Sequence, residues 1–291
     1  MRRGTYSIVA RDLRTGDLGV AAQSHWLAIG AALPWAEAGA GAVAVQSSPA
    51  PESGQTALDL LGQGRDPAAV LEKLHGSDPD AAIRQVAIVD ARGRAAVHTG
   101  DSCVREAGHR IGDGFACASS MMLSAAVPEA MAAAYEATQG LLGERLLAAL
   151  DAAEAEGGDV RGRQSATLLV VGRRKIDLRV DDHPDPVKEL RRLHTLDRAY
   201  ALMLEAEESD DALRLIDEAL RLAPDSDELL FWTALASAAA GEREQAIDRI
   251  RKAVALNPSW LDLLDRLEPS VAPGAAELRA ALDQHERSHS G

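Results

Sequence analysis

A glycine and a threonine stand at positions 4 and 5, in MRRGTYSIVARD. A threonine hydroxyl becomes a useful nucleophile only when a neighbouring base takes its proton. If Thr5 were the first residue of a mature chain, its own α-amine would be that base. An α-amine ionises at about pH 8, against about 10.4 for a lysine, so it accepts a proton close to neutral pH. The amine must first be freed. Cleavage of Gly4–Thr5 by the chain itself, cleavage by a protease, or translation from a later start codon would each do this. Simple trimming of Met1 would not, because methionine is normally removed before small residues and Arg2 is not small. The plain alternative is that Thr5 opens an edge strand, where threonine is common.

Other groupings of reactive residues carry less. His98, Cys103 and His109 invite comparison with a thiolate nucleophile or a zinc site. Zinc sites show tighter paired ligands, and no second pair follows. Asp181, Asp182, His183 and Asp185 crowd into five residues, but neighbours on an extended segment point different ways, so an interdomain turn is the expectation. The glycines of GAGAVA (39–44) lack the full dinucleotide-binding spacing, and no phosphate-binding loop, H-E-x-x-H or G-x-S-x-G occurs. The sequence calls for no cofactor and no metal.

The elements that must position these residues are legible. TYSIVAR (5–11) and LGVAAQS (18–24) flank a polar turn and predict a hairpin. GAVAVQS (41–47) predicts a third strand, and two helical patterns follow, the second with Asp66 as cap and Pro67 at its first position. A second hairpin is expected over 84–100, a strand at GFACAS (114–119), helices over 127–138 and 141–156, and a last hairpin from QSATLLVV and KIDLRV. Hairpins alternating with consecutive helix pairs argue for an α+β fold of two antiparallel sheets between helical layers. VDDHPDPVKEL, with two prolines, then changes the architecture. Beyond it the chain is helical and repeats. Ala212 and Ala246, Ala219 and Ala253, Leu222 and Leu256, and Pro224 and Pro258 are each 34 residues apart, a tetratricopeptide (TPR) period. Helices near 187–207 and 273–286 are expected to complete and cap that stack. Two domains are therefore expected, 1–185 and 186–291.

Bulk composition narrows the function classes. Aromatics make up only 3% of the 291 residues, so Ala, Val and Leu must fill the core. The net charge of −14 is spread over both halves, −6 over 1–185 (18 basic, 24 acidic) and −8 over 186–291 (13 basic, 21 acidic). Without a basic stripe, nucleic acid is not an expected partner. No run of apolar residues is long enough to span a membrane, and two cysteines fit a reduced compartment, so a cytoplasmic protein is expected.

TYSIVARDLRTGDLGVAAQSHWLAIGAALPWAEAGAGAVAVQ resembles the opening of the bacterial DUF1028 family. The resemblance continues at HTGDSCVREAGHRIGDGF (98–115), GGDVRGRQSATLLV (157–170) and DLRVDDHPDPVKELRRL (177–193). It implies a four-layer αββα sandwich of the N-terminal nucleophile (Ntn) hydrolase type, and it places Thr5 at the family's leading threonine. In proteasome-type relatives an Arg-Asp-x-x-Ser-Gly stretch supports the terminal amine. Here Arg161-Gly-Arg-Gln-Ser165 is similar, with Gly162 at the aspartate's place, so Asp159 and Ser165 are the residues expected to orient the amine. None of the four lysines lies near the second strand, where such enzymes carry a helper lysine, and Ser24 and His25 occupy a comparable neighbourhood. The family often has Gln-Gly-Asn where this chain has Ala118-Ser119-Ser120, so serine hydroxyls or backbone N–H groups, Ser119 among them, would form an oxyanion hole. Gln46, His98, His109 and Arg161 are expected substrate contacts on the resemblance alone.

The implied activity is hydrolysis of a small amide or peptide-like bond, with Thr5 as nucleophile. The rival expectation is a catalytically idle scaffold whose TPR-like tail recruits a protein partner, with Phe231, Trp232 and Trp260 as anchors. Folds of this type often pair their sheets in dimers, so a homodimer is a candidate assembly.

Overall fold

The computed structural model describes residues 4–48 and 50–289. Met1, Arg2, Arg3 and Pro49 are among those that lie outside the described residues. The protein is α+β. Ten strands form among the described residues: β1 (Thr5–Arg11), β2 (Leu18–Ser24), β3 (Pro34–Glu37), β4 (Gly41–Gln46), β5 (Gln85–Asp90), β6 (Ala95–Thr99), β7 (Gly108–Gly112), β8 (Phe115–Ser120), β9 (Ser165–Val171) and β10 (Ile176–Val180). Four helices accompany them: α1 (Pro51–Gly62), α2 (Pro67–Ser77), α3 (Val127–Ala137) and α4 (Leu142–Ala155). The strands build two sheets, one ordered β10-β9-β2-β1-β8-β7 and the other β3-β4-β5-β6, with every neighbouring pair antiparallel.

The three expected hairpins are β1–β2, β5–β6 and β9–β10. Two strands were not foreseen from sequence. Pro34 opens β3, which is tolerated because β3 is an edge strand and a proline there forfeits no ladder bond. β7 reads GHRIG, too polar for a core strand, and it lies at the edge of the larger sheet.

Alternation of side chains along β1 assigns its two faces. Tyr6, Ile8 and Ala10 pack with Leu146, Leu147 and Leu150 of α4 and Met131 of α3. Val9 points the other way, into a core shared with Val20 of β2 and with Ala42, Ala44, Ala87 and Val89 of the second sheet. The outer face of that second sheet packs Val43, Val45 and Ile88 against Leu58 and Leu61 of α1 and Val70 of α2. Small residues dominate the layer between the sheets, which the low aromatic content requires. In α2, Asp66 accepts from Ala68 N at 3.0 Å and Pro67 takes the first helical position, as the sequence predicts.

The chain divides into two compact units, Met1–Leu193 and His194–Gly291. The division falls inside α5 (Pro186–Ala206), eight residues beyond the expected boundary at 185/186, and Val187 and Leu190 of this helix join the first unit's core. The second unit is helical: α6 (Ala212–Leu222), α7 (Asp227–Ala239), α8 (Arg243–Leu256), α9 (Trp260–Arg266) and α10 (Ala275–His289). Ala219, Ala246 and Ala253 are fully buried, as expected of small residues at helix crossings. Phe231 is buried and stacks on Trp260 with centroids 4.5 Å apart, while Trp260 Nε1 donates to Asp227 at 2.8 Å. Phe231 and Trp260, expected as binding anchors, are therefore held in packing, and only Trp232 is exposed. Among the described residues no helix is long and apolar enough to cross a membrane.

Candidate functional site

Thr5 is the first residue of β1, a strand with partners on both sides and cores on both faces, and it is fully buried. It is not an edge residue. Its neighbours in register are Ser24 on β2 and Ser120 on β8, and Ser24 in turn pairs with Ser165 on β9. Directly paired residues share a face, so four hydroxyl side chains form one row facing the second sheet. The row lies one step beyond the last apolar layer.

The Gly4 carbonyl is the focus of this row. Its oxygen accepts from Thr5 Oγ1 at 2.7 Å, from Ser24 Oγ at 2.5 Å and from Arg161 Nη2 at 3.1 Å. Thr5 Oγ1 also lies 3.2 Å from Ser24 Oγ. Arg161 is fixed by Asp159, whose Oδ1 accepts from Arg161 N at 2.9 Å and Nε at 3.0 Å and whose Oδ2 accepts from Nη2 at 2.7 Å. The Asp159 carboxylate is wholly buried, and a Cβ on Gly4 would stand only 2.5 Å from its Oδ2. Glycine at position 4 is thus required by close approach. His25 N donates to the same carboxylate at 3.4 Å, and His25 Nδ1 is buried without a partner.

The second sheet closes the site from the opposite side. Gln46 Nε2 donates to Thr5 O at 3.3 Å and to Gln85 Oε1 at 2.9 Å, while Ser7 Oγ donates to Gln46 Oε1 at 2.6 Å. Gln85 Nε2 reaches Ser119 O at 2.9 Å, Gly108 O at 3.2 Å and Thr99 Oγ1 at 3.1 Å. Ser47, with φ 69°, brings its hydroxyl to 2.7 Å from Ser120 Oγ. A cleft of about 240 Å³ including its mouth, lined by Thr5, Ile29, Leu33, Val45, Gln46 and Ser47, leaves room for about one water molecule.

Of the residues expected from sequence, Thr5, Ser24, Gln46, Asp159 and Arg161 come together, with His25 at their rim. Ser165 shares the row, but its hydroxyl donates to Trp26 O and accepts from Ile29 N at 3.1 Å, so it holds the 26–29 loop and does not reach Thr5. Ser119 lies on the opposite face of β8, and its place across from Thr5 is taken by Ser120, because a one-residue step on a strand reverses the face. His98 bonds Ala81 O at 2.9 Å and meets His75 edge-on, with centroids 4.7 Å apart. His109 Nδ1 pairs with Thr99 Oγ1 at 2.9 Å; burial, and then the charge of His98, hold its pKa below the ordinary histidine value. Neither histidine contacts Thr5 in the hydrogen-bond network above. Cys103 Sγ faces Arg84 O at 3.7 Å, and among the described residues no group of His, Cys, Asp and Glu could hold a metal ion.

Gln85 and Ser47 were missed, and Ser120 was named only as part of the Ala118-Ser119-Ser120 segment. The only local signal for Gln85 is a second glutamine at the end of an apolar strand run, matching Gln46, with which it pairs in register.

The model of a family of unknown function, DUF1028, matches residues 5–190 and so contains every residue of this site except Gly4. The chain belongs to the DUF1028 family. A crystal structure of the DUF1028 protein SPO2555 from Silicibacter pomeroyi is similar to it, with 32% identity and a TM-score of 0.62 over 66% of this chain and 88% of that one. No functionally curated protein matches the chain. The site at Thr5 thus lies within a DUF1028 domain, followed by a helical region beyond the family match.

Proposed function

We propose that this protein is an Ntn-type amidohydrolase in which Thr5, once its amine is exposed, attacks a small amide or peptide-like carbonyl. The observation that carries the proposal is the Gly4 carbonyl, held by Thr5 Oγ1, Ser24 Oγ and Arg161 Nη2 together. In this reading the uncut chain is a precursor. Thr5 Oγ1 adds to the Gly4 carbonyl carbon as its proton passes to the Thr5 nitrogen, and the charge developing on the Gly4 oxygen is met by Ser24 Oγ and Arg161 Nη2, which are already in place. The C–N bond breaks, the Thr5 nitrogen leaves as an amine after taking up a proton, and water hydrolyses the ester left on Oγ1. The freed amine then serves as base for substrate hydrolysis, and an acyl-enzyme forms and is released by water. Arg161, held by Asp159, and Ser24 would polarise the substrate carbonyl where they now hold Gly4 O.

The finer fold reading belongs to the same proposal. Cores between helices and sheet, between the sheets, and between sheet and helices again support a four-layer αββα Ntn-hydrolase-like sandwich. The ends of α6 and α8 at Leu222 and Leu256, with buried alanines at 219 and 253, support a TPR-like tail. A reduced, cytoplasmic setting is the remaining part of the reading.

One observation favours the rival reading of an idle scaffold with a partner-recruiting tail. Thr5 is fully buried and its cleft admits about one water, so no substrate enters while Gly4 is attached. Intact mass and N-terminal sequencing of the purified protein separate the two. A chain starting at Thr5, active against an amide panel and inactive as Thr5→Ala, is the expected result. A chain that keeps Met1-Arg-Arg-Gly, with no amidase activity, would leave the scaffold reading.

A further inference from the structure

Cleavage at Gly4–Thr5 by the proposed route leaves a glycyl ester on Thr5 Oγ1 until water releases it. That ester is an acyl-enzyme, so the first acyl group handled at this site is a glycyl group. Every later substrate passes through an ester of the same form. Its carbonyl carbon is bonded to Thr5 Oγ1, and its oxygen takes the place of Gly4 O before Ser24 Oγ and Arg161 Nη2. A carbonyl carbon is planar, so fixing two of its substituents fixes the direction of the third. The α-carbon of any acyl group is thereby brought to the place of the Gly4 α-carbon.

That place has no room for a side chain. A Cβ on Gly4 would stand 2.5 Å from Asp159 Oδ2, 2.9 Å from Arg161 Nη2 and 3.0 Å from Asp159 Cγ. The wall is anchored. The Asp159 carboxylate is wholly buried and takes three bonds from Arg161. Its backbone is pinned as well, because Asp159 bridges to Met122, Val160 N donates to Met121 O at 3.1 Å and Gly162 N donates to Asp159 O at 2.8 Å. Gly4 is itself buried, so release of residues 1–4 vacates a space shaped to a glycyl unit.

The geometry points to glycyl amides as the substrate class of this site, with Asp159 and Arg161 excluding acyl groups that carry an L side chain on the α-carbon. The inference rests on the amidohydrolase reading above and narrows it. In the reaction the acyl C–N bond is exchanged for a bond from carbon to Thr5 Oγ1, and the amine leaves with the proton that Oγ1 gives up. Water then returns the free acid and the Thr5 hydroxyl.

Two p-nitroanilides, of Arg-Arg-Gly and of Arg-Arg-Ala, test it on the chain that begins at Thr5. The first carries the chain's own residues 2–4, and the second differs from it by one methyl. The glycyl compound should be cleaved with a kcat/KM at least about 10²-fold above the alanyl one, the effect of displacing a positioned group by about 1 Å. Thr5→Ala should cleave neither. Asp159→Ala removes the nearest wall and should narrow the ratio between the two, even as both rates fall; if that variant is inactive or unfolded, the parent ratio decides alone. Equal values for the two compounds, a ratio unchanged in an active Asp159→Ala, or cleavage of other amides but of neither anilide would overturn the inference and leave the amidohydrolase reading standing. A chain that keeps residues 1–4, or one that begins at Thr5 and cleaves no amide, overturns both.

Discussion

Replacing Gly4 by alanine tests the close approach on which the Thr5 site depends. The new Cβ would lie 2.5 Å from Asp159 Oδ2, 2.9 Å from Arg161 Nη2 and 3.0 Å from Asp159 Cγ. Restoring ordinary contact at 3.4 Å needs a shift of about 0.9 Å from the first of these. Asp159 cannot swing aside, because its carboxylate is fully buried and carries three bonds from Arg161. The carboxylate and guanidinium must therefore move together, away from the Gly4 carbonyl. Overpacking of this kind costs about 1–3 kcal/mol. At about 2 kcal/mol the melting temperature of a unit this size falls by roughly 4–8 °C. A displacement near 1 Å of a positioned donor also slows a reaction by about 10²-fold, so if the junction cleaves itself as proposed, release of residues 1–4 should slow by that much. Scanning calorimetry reads the first effect and a time course of intact mass reads the second. A Gly4→Ala chain that melts like the parent and is processed at the parent rate would refute the geometry.

Three further outcomes are expected. Gly76→Ala, near the end of α2 with no atom within 4 Å of the added methyl, should stabilise by about 0.5 kcal/mol in urea unfolding. Cys117 is fully buried and its thiol is pushed well up by that burial, whereas Cys103 is partly exposed; an alkylating reagent at pH 8 should therefore add one group to the native protein and two after denaturation, counted by mass. Asp78 is held below its ordinary pKa chiefly by the Arg84 hydrogen bonds, and Asp17 is held below it because bonds from Arg173 outweigh the upward push of burial. A depressed carboxylate stabilises fully above its unfolded pKa of about 3.9 and loses that contribution as pH falls through the lower folded value. Urea midpoints should fall steeply below about pH 4, and less steeply in Asp78→Asn.

The sequence made the central hairpin legible because β1 and β2 carry the short apolar runs Ile8–Ala10 and Leu18–Ala22 around a turn with Gly16. It hid β3 and β7, whose composition follows from edge positions that only the assembled sheet defines. Within the site, Thr5, Asp159 and Arg161 could be nominated by resemblance to a family motif. What brings them together is register over long separations, such as Gln46 with Gln85 and Thr5 with Ser120, and no local pattern encodes register. The same limit explains Ser119. A reading along the chain could not fix which of two adjacent serines faces the second sheet, and sheet pairing gives that place to Ser120.

The placement of β1 also sets a clock. β1 needs β8 as its second partner, and the Gly4 carbonyl takes a hydrogen bond from Arg161, both much later in the chain. At about 5–20 residues per second, roughly 8–30 s separate the synthesis of Thr5 from that of Arg161. The hydrogen bonds around the Gly4–Thr5 junction therefore cannot be assembled on a short nascent chain. If the junction cleaves itself, it does so only after nearly the whole first unit has been synthesised, which protects a half-made protein from losing the residues that precede Thr5.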